Sequence, residues 1–192
     1  MDALARLLFG SYLGLLVVVV GGAVIMPELF FEYPHRGISV WGNYYPAVIV
    51  YSAGLLTSII CLIGAVYILP DYPERMSVMR RLLAAIVTGL LVVLLTPEQA
   101  NLVFYWAHTL AAVYLFVVAG LASIWIMLHA GKTWFDWFLF WLLVAGLILS
   151  LLSASYVRLL GFLAVGQILA FNSALLIIIR ATMRWSVQEV KE

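Results

Sequence analysis

Six apolar stretches, each long enough to cross a bilayer, run through this chain with almost no charge at their centres. They cover about Ala5–Met26, Ala47–Leu69, Val78–Thr96, Pro97–Leu128, Trp134–Ser155 and Leu159–Trp185. About 20 apolar residues carry a helix across roughly 30 Å of hydrocarbon. Backbone N–H and C=O groups find no water at that depth, so a chain must satisfy them within helices or closed barrels. The even alternation of barrel strands is missing here. The predicted fold is therefore all-α: a polytopic bundle of six transmembrane helices forming one domain over residues 1–192, with one long connection at 27–46.

Composition excludes the soluble alternative. Hydrophobic residues make up 66% of the chain and charged residues 10%, where a soluble domain carries roughly a quarter charged. A mean hydropathy of +1.14 says the same. The net charge of +1 gives no basis for a nucleic-acid partner. The single cysteine, Cys61, rules out an internal disulfide, a Cys-X-X-Cys pair and a thiolate metal cluster. The first stretch has only Arg6 before it, is too long for a signal core and ends at Pro27 and Glu28, so it is expected to stay as a span.

The ten Lys and Arg residues divide unevenly between alternate connections. Arg6, Arg75, Arg80, Arg81, Lys132, Arg180, Arg184 and Lys191 fall on one set; Arg36 and Arg158 fall on the other. Cytoplasmic loops retain Lys and Arg, so both termini are expected in the cytosol and the 27–46 connection outside. The lack of long tails and sorting signals fits a prokaryotic plasma membrane. Two aromatic groups agree with this orientation. Trp41, Tyr44, Tyr45, Tyr105, Trp106 and Tyr156 are expected at the outer interface, and Tyr72, Trp125, Trp134, Trp137 and Trp185 at the inner one.

The joints carry helix signals. Thr96, Pro97 and Gln99 read as an N-cap, a first-turn proline and a capping partner, which starts the fourth helix at Pro97. Thr133 and Asp136 offer the same logic for the fifth helix, and Gly131 ends the fourth. Gly10 with Gly14, and Gly54 with Ser58, are small pairs at four-residue spacing, read as packing sites within the bundle rather than a dimer seam.

Polar residues inside or beside the spans are the candidates for function. The 27–46 connection holds His35, Arg36 and Ser39 among turn-forming glycines and aromatics, and reads as a cap or lid. Glu98, Asn101, Tyr105 and His108 are spaced to share one helical face. Gln167 lies at a depth comparable to His108, and Asn172 lies deeper. Such groups usually turn inward and pair with one another. They are either structural glue or the wall of a polar pocket, with Arg36 and Arg158 as anion contacts and Glu98 pairing with one of them. His35 and His129 fall at opposite faces, so neither a three-histidine zinc site nor a haem pair is expected, and no cofactor is assigned. A Ser39 nucleophile with His35 or His108 as base is unspecific. No series of membrane carboxylates supports a proton pump.

Several of these residues carry a resemblance. The Gly37-Ile38-Ser39 element followed by Gly42 and Pro46, the WAHTLAAVYLF of helix four and the GQILAFNSALLIIIR of helix six resemble the Frag/DRAM/Sfk superfamily and its prokaryotic relatives of unknown function. The resemblance implies six helices with cytosolic termini. It points at Ser39, His108, Gln167 and Asn172, and at lipid-linked work, since eukaryotic members act in lipid-anchor remodelling, lipid asymmetry and autophagy-related lysosomal roles. Gln167 stands where many relatives have a carboxylate, which speaks against an acid–base role there.

The resulting expectation is a membrane protein that binds a lipid or lipid-like headgroup in an outward-facing polar pocket. A non-catalytic accessory subunit, with a membrane protein or a second copy as partner, is the alternative suggested by the aromatic WFDWFLFW of helix five. A lipid hydrolase or acyltransferase is the third reading, and it lacks an assignable nucleophile and base.

Overall fold

The structure is a computed structural model that describes residues 3–28, 37–71, 74–130, 132–154 and 159–189, with side chains as far as 185. His35, Arg36 and Arg158 lie outside the described residues. Every regular element among the described residues is helical, and six helices are long and apolar enough to cross a membrane. These are α1 (Ala3–Ile25), α2 (Ala47–Ile68), α3 (Glu74–Leu95), α4 (Leu102–His129), α5 (Trp134–Ser153) and α6 (Leu163–Glu189). A short 3₁₀ helix, Ile38–Asn43, precedes α2. This is the architecture of an integral membrane protein.

The helices associate as three consecutive pairs, and each pair closes on a glycine. In lipid there is little hydrophobic drive between helices, so small residues that let backbones approach decide the contact. A Cβ on Gly14 of α1 would lie 2.7 Å from the Gly54 carbonyl oxygen of α2 and 2.8 Å from the Ser58 nitrogen. Beside it, the Ser11 and Ser58 hydroxyls bond at 2.8 Å. Both small pairs thus pack within the bundle; Gly10 faces Cys61. Gly89 of α3 accommodates Leu115 of α4. Gly146 of α5 and Gly166 of α6 each press on the other helix, with a Gly146 Cβ only 2.6 Å from the Ala170 nitrogen.

A second clamp holds α5 to α6 at the far end of the same pair. Thr133 caps α5: its N–H and hydroxyl both donate to Asp136 Oδ2, at 2.8 and 2.7 Å. The Asp136 carboxylate is buried (4% exposed) and also takes the Arg180 Nε at 2.8 Å and an Arg184 guanidinium nitrogen at 2.5 Å. One acid therefore caps a helix and joins two cations, where sequence suggested only the cap. Charge-assisted bonds of this kind are the stronger class, and removing one partner of a buried set leaves the other charges uncompensated.

Three expectations need correction. Helix α4 begins at Leu102, not Pro97, because Asn101 is its N-cap and accepts from the Phe104 N–H at 2.9 Å. The Thr96 hydroxyl is already engaged, donating to the Val92 carbonyl at 2.5 Å. Trp41 is not an interfacial anchor. It is 1% exposed, its ring fills the space that Gly22 leaves beside α1, and its indole N–H points to the Met26 carbonyl at 3.4 Å. Trp185 is likewise buried, edge-on to Trp125. Tyr45, Trp134 and Trp137 do face outward.

Replacing Gly146 by alanine is expected to destabilise the bundle by about 1–3 kcal/mol, because the new methyl meets backbone that cannot turn aside. Gly120→Ala is the control: its Cβ would meet only Leu147 Cδ1 at 3.8 Å, and it should change stability by less than about 0.5 kcal/mol. Reversible unfolding in mixed micelles reads both.

Candidate functional site

The space between the helix pairs is a cavity of about 570 Å³ lined by all six helices. Volumes of 300–1,000 Å³ with mostly apolar walls and a few placed polar groups are characteristic of small-molecule sites. Polar groups are concentrated at one end; the Ser11 hydroxyl, deeper in the wall, is engaged by Ser58. Ser39, Glu98, His108 and Gln167 line one end, where the 3₁₀ helix and the α3–α4 turn meet the start of α6. Leu62, Phe116, Leu175 and Ile178 belong to the apolar body. From Gln167 to Ile178 the wall descends eleven residues of α6, about 16 Å at 1.5 Å per residue.

The polar end is built by three tethers. Ile38 N–H donates to Gln167 Oε1 at 2.8 Å, which seats the 3₁₀ helix on α6. The seat depends on Gly37, since a Cβ there would fall 2.1 Å from the same Gln167 oxygen. The Ser39 hydroxyl donates to the Glu98 carboxylate at 3.4 Å. His108 Nδ1 lies 2.9 Å from the Thr96 carbonyl, a group freed at the end of α3. A carbonyl only accepts, so Nδ1 carries a proton and donates to it. The described part of the long connection thus sits on the bundle as a cap.

Sequence candidates divide accordingly. Ser39, Glu98, His108 and Gln167 share the cavity, although His108 and Gln167 each bond elsewhere rather than to one another. Asn101 is an exposed N-cap and not a wall residue. Asn172 is not in the wall either; its amide nitrogen donates to the Ile168 carbonyl one turn back, and its Oδ1 is buried without a partner. Ser39 faces Glu98 and His108 faces Thr96, so the described contacts do not join them as nucleophile and base. Sequence reasoning missed Ser11 and Tyr51 as wall residues. Tyr51 sits near the start of α2, which is largely apolar; that position was the available signal.

Comparisons with protein-family models, with curated proteins and with solved structures return no match to this chain.

Gln167→Leu removes the acceptor for Ile38 and leaves a partly buried N–H, a loss of about 1–3 kcal/mol at the cap. The expected result is roughly tenfold faster hydrogen exchange at Ile38, with exchange in the middle of α2 and α6 unchanged. Gly37→Ala is expected to reproduce it by displacing the same contact.

Proposed function

We propose that this protein holds an amphipathic membrane lipid in the cavity, its polar head among Ser39, Glu98, His108 and Gln167 and its chain along the apolar body. The observation that carries this reading is the separation of polar from apolar wall along one continuous space. A water-soluble metabolite would gain nothing from the long apolar portion, and a pure hydrocarbon would strand the polar end. The resemblance to Frag/DRAM/Sfk proteins points the same way. Arg36 and Arg158, offered by the sequence as head-phosphate contacts, are outside the described residues, and the proposal does not need them.

The test is native mass spectrometry of the purified chain with lipid identification. The expected spectrum contains one bound lipid per chain. Ala174→Phe, which puts a ring into the cavity from a buried wall position, should remove that adduct while the helical signal and melting behaviour are kept. A wild-type chain free of lipid, or a filled variant that keeps its lipid, overturns the proposal.

We further propose that the polar end faces away from the cytosol. Arg6, Arg75, Arg80, Arg81, Lys132, Arg180 and Arg184 are carried by the helix ends and connections of the opposite side, and such clusters stay in the cytosol. Tyr45 and Glu74 are exposed and sit at the two ends. In intact cells an impermeant thiol reagent is expected to label Tyr45→Cys and spare Glu74→Cys. The reverse pattern inverts the protein, and labelling of both or neither removes the alternating topology.

The reading as an accessory subunit draws on α5, whose Trp134, Trp137, Phe138 and Trp141 all face outward. The same belt suits lipid contact. A particle mass of one chain plus detergent decides against the subunit reading.

A further inference from the structure

We infer that the cavity takes its occupant sideways from the bilayer, through a slot between α4 and α5, and that the occupant is therefore a lipid already resident in the membrane. This rests on the lipid-cavity reading above and adds the route.

The first observation is a shared stripe of residues. Trp106, Leu110, Val113 and Val117 of α4 line the cavity and are also exposed. Their spacing of four, three and four places them on one face of the helix. The face continues through Leu121, Ile124 and Leu128, which are exposed but do not line the cavity. It is thus the outside of α4, and the cavity reaches it. Across the slot, Leu151 of α5 is both a wall residue and 66% exposed; Val113 is 54% exposed. From Trp106 to Val117 the slot follows eleven residues, about 16 Å at helical rise.

The second observation is how the neighbouring helices pack. Helix α5 is drawn onto α6 by Gly146, Gly166 and the Asp136 clamp. Helix α4 packs on α3 through Gly89 and Leu115, and on α6 through Phe116 against Phe171 and Trp125 against Trp185. Helices α4 and α5 are consecutive, yet they touch little. The polar end is capped by Gly37, Ile38 and Ser39. A capped top and an apolar side opening suit entry from lipid, which spares the acyl chain a passage through water.

The experiment uses the full chain in phosphatidylcholine vesicles. Phosphatidylcholine with a diazirine in its acyl chain is introduced from donor vesicles, and adducts are mapped at early times after illumination. Leu62 and Ile178 are each 1% exposed and report the interior; Leu121 and Ile124 report the outer face. In the unaltered chain both pairs should be labelled. In Val113→Trp with Leu151→Trp, early interior labelling should fall about tenfold, as for a raised entry barrier, with outer-face labelling unchanged. Val113→Ala with Leu151→Ala should raise early interior labelling.

Equal interior labelling in the tryptophan pair overturns side entry and leaves the lipid cavity standing. Absence of interior adducts in the unaltered chain overturns the cavity reading itself. Should the tryptophan pair fail to fold, seen as a changed outer-face pattern, the alanine pair decides: early interior labelling no faster than in the unaltered chain counts against the slot.

Discussion

The close approach of α5 to α6 is the constraint on which the rest of this architecture depends. Gly146 and Gly166 let the two backbones meet with no side chain between them, and Asp136 ties the other end to Arg180 and Arg184. Helix α5, drawn this tightly onto α6, is left with little contact to α4. The α1–α2 pair is fixed in the same way through Gly14 and Gly54. Three tight pairs placed side by side do not fill their common centre, and the cavity is the space they leave. It is thus a consequence of strong pairing, and not of weak packing throughout.

The bilayer makes the treatment of polar groups stringent, because an unsatisfied group there has no water to turn to. At the capped end each tether meets a local need and positions a wall residue. The carbonyl released at Thr96 is met by His108, which orients the ring and joins α3 to α4. The Ile38 N–H is met by Gln167, which joins the cap to α6. Structural glue and pocket lining, alternatives at the level of sequence, are here two roles of the same side chains.

The spans themselves were legible because hydropathy and length report them directly. Boundaries were less so. Thr96, Pro97 and Gln99 have the residues of a helix start, but a threonine hydroxyl can also bond the carbonyl four residues back, and Thr96 does; Asn101 then takes the cap. Trp41 looked like an interfacial ring because its partner, the gap beside Gly22, lies on another helix. The same limit hid the matching of Gly146 with Gly166. A small residue announces that something can approach, while only the fold says what does. Ser39, Glu98, His108 and Gln167 stood out because polar residues are rare in such a chain, and they line the cavity. Asn101 and Asn172 stood out on that same ground, and their described bonds go to nearby backbone.

The two polar clusters at opposite ends of the bundle differ in how far their polar atoms are committed to the protein itself. Around Asp136, one carboxylate meets a capping threonine and two guanidinium groups inside a helix–helix contact. Its acceptor sites are engaged within the protein, and the space beside it is about 10 Å³, enough for little more than a water. At the capped end, the described partner of Glu98 is a single hydroxyl at 3.4 Å, and His108 is bonded through one ring nitrogen. These groups border a space some fifty times larger, taking the ratio of 570 to 10 Å³. Polar atoms committed to each other stabilise a fold. Polar atoms held in place by their neighbours, yet facing a large void with an apolar tail, are the arrangement on which the proposed lipid site rests.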